Sequence, residues 1–156
     1  MRSIARIVEA IGLGLSMTMV SYNASGETVL DTRPAVPFAN FAVKVELEEE
    51  ELDVEGAFML GAPSDGINLF KEEVVVKLGT LTTTIKAGSF ERKSSGKVVF
   101  KKVIDCTYWS VEFRPLGKNN FEFKAELLGV KGNPKITPED VSLSIGDDGG
   151  PARPVN

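Results

Sequence analysis

The amino-acid sequence predicts an all-β protein: an antiparallel β-sandwich with two pseudo-repeated halves, preceded by a cleavable signal helix. Apolar and polar residues alternate in short segments such as 41–48 and 108–114, which gives each segment one apolar and one polar face. Clusters of glycine, serine, asparagine and aspartate separate these segments. After residue 26, no apolar pattern keeps a helical period over several turns. Short strands with frequent turns are typical of a sandwich or a barrel.

The alternation and the turn residues define the individual strands. The acidic run 48–51 is expected to turn the first hairpin, and residues 61–66, 94–96 and 117–120 supply later turns. A glycine-rich loop is expected at 146–150, after the last clear strand. The predicted strands are residues 41–48, 52–58, 74–78, 81–85, 98–104, 108–114, 121–127 and 141–145.

Residues 1–26 have the features of a secretory signal peptide. Two arginines give a positive start, residues 11–20 form an uncharged apolar run, and Ala24 and Gly26 are small residues at a cleavage site. The run is too short to cross a bilayer as a stable helix. We therefore expect cleavage after Gly26 and export to the periplasm or the extracellular space. Because Glu9 borders the apolar run, an ordinary N-terminal helix is the alternative.

The remaining chain is expected to contain one domain. Residues 27–40, with Pro34 and Pro37 and no clear period, predict an extended lead-in. The β-sandwich domain is assigned to residues 41–150. Residues 151–156 are expected to form a C-terminal tail or a sheet edge, because their two prolines cannot donate hydrogen bonds to a central strand.

The composition argues against several classes of function. The chain has 156 residues and a formal net charge of −4, which argues against binding to nucleic acid or to an anionic membrane. It contains no histidine, the commonest general base and metal ligand. Its single cysteine, Cys106, allows neither an intrachain disulfide nor a zinc site of four cysteines. Because no histidine can activate it, we expect Cys106 to be a partly buried, unreactive thiol.

Two segments of the chain, residues 69–79 and 136–146, match each other without gaps. Each has an apolar residue at its entry, a pair of acidic residues, a Val-x-apolar-x-apolar strand and a final glycine. Upstream of each lies a predicted hairpin that ends in Leu-Gly, at 60–61 and 128–129. One such unit cannot bury its apolar face alone, whereas two facing units can. We interpret the match as an internal duplication, and the ordinary patterning of any β protein is the alternative.

Three stretches of the chain carry a resemblance to other proteins. Residues 72–90, 113–117 and 141–149 resemble uncharacterised exported bacterial proteins built of repeated β-sandwich cassettes. The resemblance spans residues 50–150 and implies an architecture and a compartment, but no activity, ligand or site residue. The residues after 149 depart from the cassette pattern, which usually continues into another strand.

Acidic loops supply the candidates for a metal site. Asp140, Asp147 and Asp148 flank the last predicted strand, and Asp65 lies in a glycine-flanked loop of the first half. Carboxylate oxygens are ligands for Ca²⁺, although this spacing is not that of an EF-hand loop. Ordinary Asp-Gly turn chemistry is the preferred interpretation of these residues, so the sequence predicts no metal site and offers them only as candidates. The acids of 48–51 are expected to form a solvated turn, because neighbouring strand residues point to opposite faces.

Aromatic and basic side chains supply candidate ligand surfaces. Alternation places Trp109 and Phe113 on the core side of their strand, so Tyr108 on the opposite side is the candidate for a ligand face. A basic hairpin either attracts an acidic partner or keeps an exposed strand soluble. The lysines of this hairpin are Lys93, Lys97, Lys101 and Lys102.

The sequence therefore predicts an exported, non-catalytic binding or structural module. No phosphate loop, paired-carboxylate motif or nucleophile elbow is found, so we expect neither enzymatic activity nor a cofactor. One alternative is a carboxylate-based glycan hydrolase, which needs two carboxylates about 5–10 Å apart in a cleft. Another is a calcium-stabilised adhesion-type module. The expected partner is a protein or a glycan, with no membrane span after signal removal, and the chain is expected to be a monomer or an edge-paired oligomer.

Overall fold

The structure is a computed structural model that describes Val20–Asn23, Glu27–Leu30 and Val36–Asn156. The chain divides into two units, Met1–Ala35 and Val36–Asn156. In the first unit, strand β1 (Val20–Asn23) pairs antiparallel with strand β2 (Glu27–Leu30). The predicted signal helix covers residues 1–26. Of these, only Val20–Asn23 (β1) are described, and the remainder lies outside the described residues.

The second unit is built of strands and one short 3-10 helix, and Val36–Asn156 contains no α-helix. The all-β prediction is therefore confirmed for the described residues. The elements are β3 (Val36–Pro37), β4 (Asn40–Glu48), β5 (Glu51–Met59), β6 (Val74–Leu78), β7 (Leu81–Ile85), β8 (Glu91–Arg92), β9 (Val98–Ile104), β10 (Thr107–Gly117), β11 (Asn120–Leu128), η1 (Pro138–Asp140), β12 (Val141–Ile145), β13 (Asp148–Pro151) and β14 (Arg153–Pro154).

The strands of the second unit form two sheets. The seven-stranded sheet has the order β14-β4-β5-β11-β10-β9-β8, and the five-stranded sheet has the order β3-β13-β12-β6-β7. All neighbouring strands are antiparallel except two pairs at the edges, β14 with β4 and β3 with β13, which are parallel. The two central antiparallel pairs, β5 with β11 and β6 with β12, each join a strand from the first half to one from the second.

One hydrophobic core lies between the two sheets. The seven-stranded sheet contributes buried residues such as Phe58, Phe113 and Phe123, and the five-stranded sheet contributes Val76 and Leu143. Period-2 alternation puts these side chains on the inner face of each strand, where removal from water stabilises the fold. Some aromatic rings contact each other edge to face, as the Phe58 and Phe113 rings do at 6.1 Å between centroids, and others stack, as the Phe58 and Phe121 rings do at 5.2 Å.

Two-residue turns at positive φ close two of the hairpins. Lys118 and Asn119, between β10 and β11, have φ of 53° and 66°. Asp105 and Cys106, between β9 and β10, have φ of 50° and 68°. Such turns match the right-handed twist of the flanking strands. Cys106 is exposed at its turn, so the expectation of a partly buried thiol was wrong.

The structure corrects the sequence analysis at the end of the chain. A glycine-rich loop was expected at 146–150, but Asp148–Pro151 form strand β13 and pair with β12. Of the two alternatives for residues 151–156, a tail or a sheet edge, the structure shows an edge: β14 lies beside β4 at the edge of the seven-stranded sheet. The Ala152 N–H donates to the Val141 carbonyl at 2.8 Å, which ties the last residues to the sandwich.

The two matching segments meet in the five-stranded sheet. Their strands β6 and β12 pair directly, with Val76 opposite Leu143. Two backbone hydrogen bonds occupy equivalent places: Gly79 N–H donates to the Asp140 carbonyl at 3.0 Å, and Gly146 N–H donates to the Glu73 carbonyl at 2.9 Å. The origin of these segments by duplication stays a prediction.

Candidate functional site

The turn between β12 and β13 positions two of the predicted metal candidates. Gly146 adopts a φ of +59°, which a residue with a side chain rarely adopts, and Asp147 follows it. Asp148 then opens β13, where it pairs with Ile145 on one side and with Val36 on the other. The side chain of Asp148 is fully buried, at 0% exposure.

A loop from the first half brings a third carboxylate to this turn. The Ser64 N–H donates to the Gly61 carbonyl, and the Gly66 N–H donates to Ser64 Oγ, each at 3.0 Å. These bonds hold a compact turn that carries Asp65. Carboxylate oxygens of Asp65, Asp147 and Asp148 all lie within 4.8 Å of one another. We call these three residues the acidic loop cluster.

The buried member of the acidic loop cluster is electrostatically unfavourable. Neither carboxylate oxygen of Asp148 has a hydrogen-bond partner that satisfies normal geometry. Burial raises the pKa of Asp148; the nearby Ser64 hydroxyl opposes that rise, and the carboxylates of Asp147, Glu72 and Asp65 add to it. A buried, unpaired carboxylate costs free energy because protein neighbours do not replace its lost water.

Glu72 borders the acidic loop cluster. Its Oε1 accepts a hydrogen bond from the Asn68 N–H at 2.9 Å. Its Oε2 lies so close to Gly146 that a β-carbon added there would be 2.8 Å away. Glycine at 146 therefore allows both the turn and the close approach of this carboxylate.

Asp140, the fourth candidate, lies apart from the acidic loop cluster. Its Oδ2 accepts hydrogen bonds from the Thr137 N–H at 2.9 Å and from the Thr137 hydroxyl at 3.0 Å. These two bonds lower the pKa of Asp140. Asp140 thus stabilises the start of η1, in the manner of a capping box.

A second group of acids, which the sequence analysis missed, lies on the seven-stranded sheet. Carboxylate oxygens of Glu51, Asp53 and Glu126 lie within 4.8 Å of one another. Asp53 and Glu126 are direct cross-strand neighbours. Partial desolvation, followed by the carboxylates of Asp53 and Glu126, raises the pKa of Glu51. Only the register between β5 and β11 could have revealed this group, because it pairs residues that are far apart in sequence.

The acidic run 48–51 forms a turn, as expected. Glu48 pairs with Glu51 across the hairpin, and the two residues between them make the turn. All four side chains are exposed. In this run only Glu51 takes part in a carboxylate cluster among the described residues.

A shallow trough lies on the seven-stranded sheet. Its volume is about 480 Å³, and Gly56 and Ala57 lie among the charged side chains that line it. Ala57 is opposite Ala42 on one side and Glu122 on the other, so two small side chains adjoin there. The charged residues that line the trough are Lys44, Glu55, Lys97, Glu112, Arg114, Glu122 and Lys124.

Tyr108, the predicted ligand-face residue, lies outside this trough. It is half-buried and in register with Val103 on β9 and Leu128 on β11. Val103 is 63% exposed and Leu128 is 40% exposed, so the three residues form a small apolar row. Trp109 and Phe113, by contrast, are buried in the core, as predicted.

The fold and these surfaces define an all-β protein of two packed sheets with one acidic loop cluster and one charged trough. No family model, curated protein or solved structure matches the chain. Within the described residues, no helix has the length and apolar character needed to span a membrane.

Proposed function

We propose that this chain is an exported, non-catalytic binding module that holds a polar ligand in the trough of the seven-stranded sheet. The observation that carries the proposal is the trough itself, about 480 Å³ of open space between charged side chains. The signal-like residues 1–26 and the resemblance to exported β-sandwich cassettes support the compartment.

Small residues account for the depression in this sheet. A β-carbon at Gly56 would lie 2.0 Å from the Ala42 carbonyl oxygen, so close strand approach excludes any larger residue. Ala42 and Ala57 then leave little side-chain volume next to Glu122. Longer side chains around them raise the rim. This shape favours an extended ligand that lies along the sheet surface.

The charge pattern of the trough favours a polar ligand. Lys124 lies between Glu55 and Glu112 in the strand register, so the signs alternate across three strands. Lys97 forms an ion pair with Glu112 at 3.4 Å on the rim of the trough. Of the four basic residues that line the trough, Lys44 pairs with Glu46, Lys97 with Glu112 and Arg114 with Glu122, whereas Lys124 forms no ion pair among the described residues. An anionic glycan or acidic peptide segment fits this pattern.

The carboxylates of the trough support binding more than hydrolysis. Glu122 forms an ion pair with Arg114, and Glu112 forms one with Lys97. These pairs occupy oxygens that a general acid or a nucleophile would present to a glycosidic bond. For this reason a glycan hydrolase ranks second to a binding module. Release of reducing ends from a bound glycan would favour the hydrolase.

An array experiment tests the proposed function. The full chain, after export, is passed over an array of acidic and neutral glycans and peptides. We expect retention on acidic ligands that Lys124→Glu weakens about tenfold, an effect of roughly 1.4 kcal/mol, and that high salt also weakens. Lys101→Glu is the matched control, because Lys101 is exposed on the same sheet but does not line the trough. Equal loss in both variants, or no retention, would contradict the proposal.

A further inference from the structure

We propose that Asp65, Asp147 and Asp148 form a binding site for a divalent hard cation, with calcium preferred. The cation would link the loop between β5 and β6 to the turn between β12 and β13. This site shares no residue with the trough and goes beyond the proposed function. The two proposals therefore succeed or fail in separate experiments.

The first argument is the burial of Asp148. A carboxylate at 0% exposure with no hydrogen bond of normal geometry to either oxygen is rare, because native proteins satisfy nearly all buried polar groups. Two further carboxylates approach within 4.8 Å and increase the repulsion. A bound cation resolves both problems, since it supplies a partner for the buried oxygens and neutralises the like charges.

The second argument is the chemistry of the ligand atoms. The three side chains offer only carboxylate oxygens, and the neighbouring groups are the Glu72 carboxylate and the Ser64 hydroxyl. Oxygen-only sites suit Ca²⁺ and Mg²⁺, whereas zinc sites in proteins usually include nitrogen or sulfur ligands. Ca²⁺ accepts six to eight oxygens in irregular geometry, while Mg²⁺ demands a near-ideal octahedron. A site made from a loop and a turn suits the irregular geometry of Ca²⁺ better than the octahedron of Mg²⁺.

The third argument compares the same place in the other matching segment. The Gly79–Asp140 hydrogen bond there corresponds to the Gly146–Glu73 bond at the acidic loop cluster. Thr80 follows Gly79 where Asp147 follows Gly146, and Gly79, Thr80 and a lysine, Lys135, line one surface cavity. Among the described residues, three carboxylates therefore meet at only one of these two equivalent turns. The backbone arrangement after β6 and after β12 therefore does not itself require Asp65, Asp147 and Asp148.

Calcium titration of the full chain tests the site. We expect calorimetry to detect binding of one Ca²⁺, and we expect the melting temperature to exceed that in EDTA by about 10 °C when calcium exceeds its Kd about a hundredfold. Mg²⁺ should give a smaller shift. A larger shift with Mg²⁺, or no shift and no binding heat with millimolar calcium, would overturn the proposal.

Matched variants separate a cation site from a general salt effect. Asp148→Asn should lose the calcium response while melting in EDTA at least as high as the wild-type chain, because the buried charge is removed. Asp65→Asn should also lose the response, and its exposed position makes it the safer variant for folding. Glu139→Gln, an exposed acid beside the equivalent turn, is the control and should keep the response. A calcium response retained in both aspartate variants would refute the site.

Discussion

At the scale of single residues, two of the candidate aspartates, Asp140 and Asp148, differ in their hydrogen bonds and in their burial. Asp140 accepts two hydrogen bonds from Thr137, whereas Asp148 accepts none of normal geometry. The same residue type therefore has a lowered pKa at 140 and a raised pKa at 148. Sequence shows both as aspartates next to a predicted strand. Only the hydrogen bonds and the burial distinguish a capping residue from a candidate ligand.

Asp140 makes a testable contribution to the pH dependence of stability. Because its folded pKa lies below the ordinary value, Asp140 stabilises the fold above the unfolded pKa, and the contribution disappears as the pH falls through the folded pKa. Asp140→Asn should therefore lower the melting temperature at pH 7, and the difference from the wild-type chain should shrink in acid. Thermal melts across the acidic range measure this. Glu139→Gln serves as the control, and a pH-independent difference would contradict the assignment.

At the level of strands, alternation of apolar and polar residues was a reliable guide where β-branched and aromatic residues fill the segment. The structure places β6, β7, β9 and β12 at the predicted bounds. It adds β13 and β14, which contain glycines and prolines of low strand propensity. These two strands form because β12, β3 and β4 offer backbone partners. Such tertiary pairing cannot be derived from local sequence.

The acidic loop cluster was predictable in part. Turn chemistry pointed to Asp65, Asp147 and Asp148 as candidates, but sequence also included Asp140 and placed Asp148 in a loop. Convergence depends on the folded chain, in which the loop between β5 and β6 lies beside the turn between β12 and β13. The same limit hid Asp53 and Glu126, whose contact depends on the pairing of β5 with β11.

Gly56 offers a test of strand packing in the seven-stranded sheet. In Gly56→Ala the new β-carbon would meet the Ala42 carbonyl oxygen and the Val43 Cα, so β4 and β5 must separate locally. We expect a loss of about 3 kcal/mol in the free energy of unfolding, at the upper end for overpacking. Urea denaturation measures it. Gly96→Ala is the comparison, because Gly96 has a positive φ but open space, and should cost only about 1–2 kcal/mol. Equal losses would argue against the steric explanation.

At the level of the whole molecule, export is the expectation with the most direct test. If residues 1–26 are a signal peptide, mass spectrometry of the exported chain should find Glu27 at the N-terminus. Replacing Gly26 with a bulky residue should slow cleavage, since signal peptidase requires small side chains near the cut. Ser95→Trp, at an exposed turn of the second unit, would control for general effects of the substitution. If the chain were found only in the cell extract, with Met1 still at its N-terminus, that result would contradict export.

The parallel pairing of β14 with β4 determines how this sandwich could be circularly permuted or inserted into a host protein. Arg153 lies beside Ala42, and the Val155 N–H donates to the Val43 carbonyl at 3.3 Å, so β14 runs alongside the start of β4. Domains whose two ends lie close together tolerate circular permutation and insertion into loops of a host protein. Since β14 lies in the seven-stranded sheet and residue 36 lies in β3 of the five-stranded sheet, a linker that joins residue 156 to residue 36 must cross from one sheet to the other. A permuted sandwich opened at the exposed turn of Lys118 and Asn119 would keep every strand of both sheets, and the length of that linker would decide how well it folds.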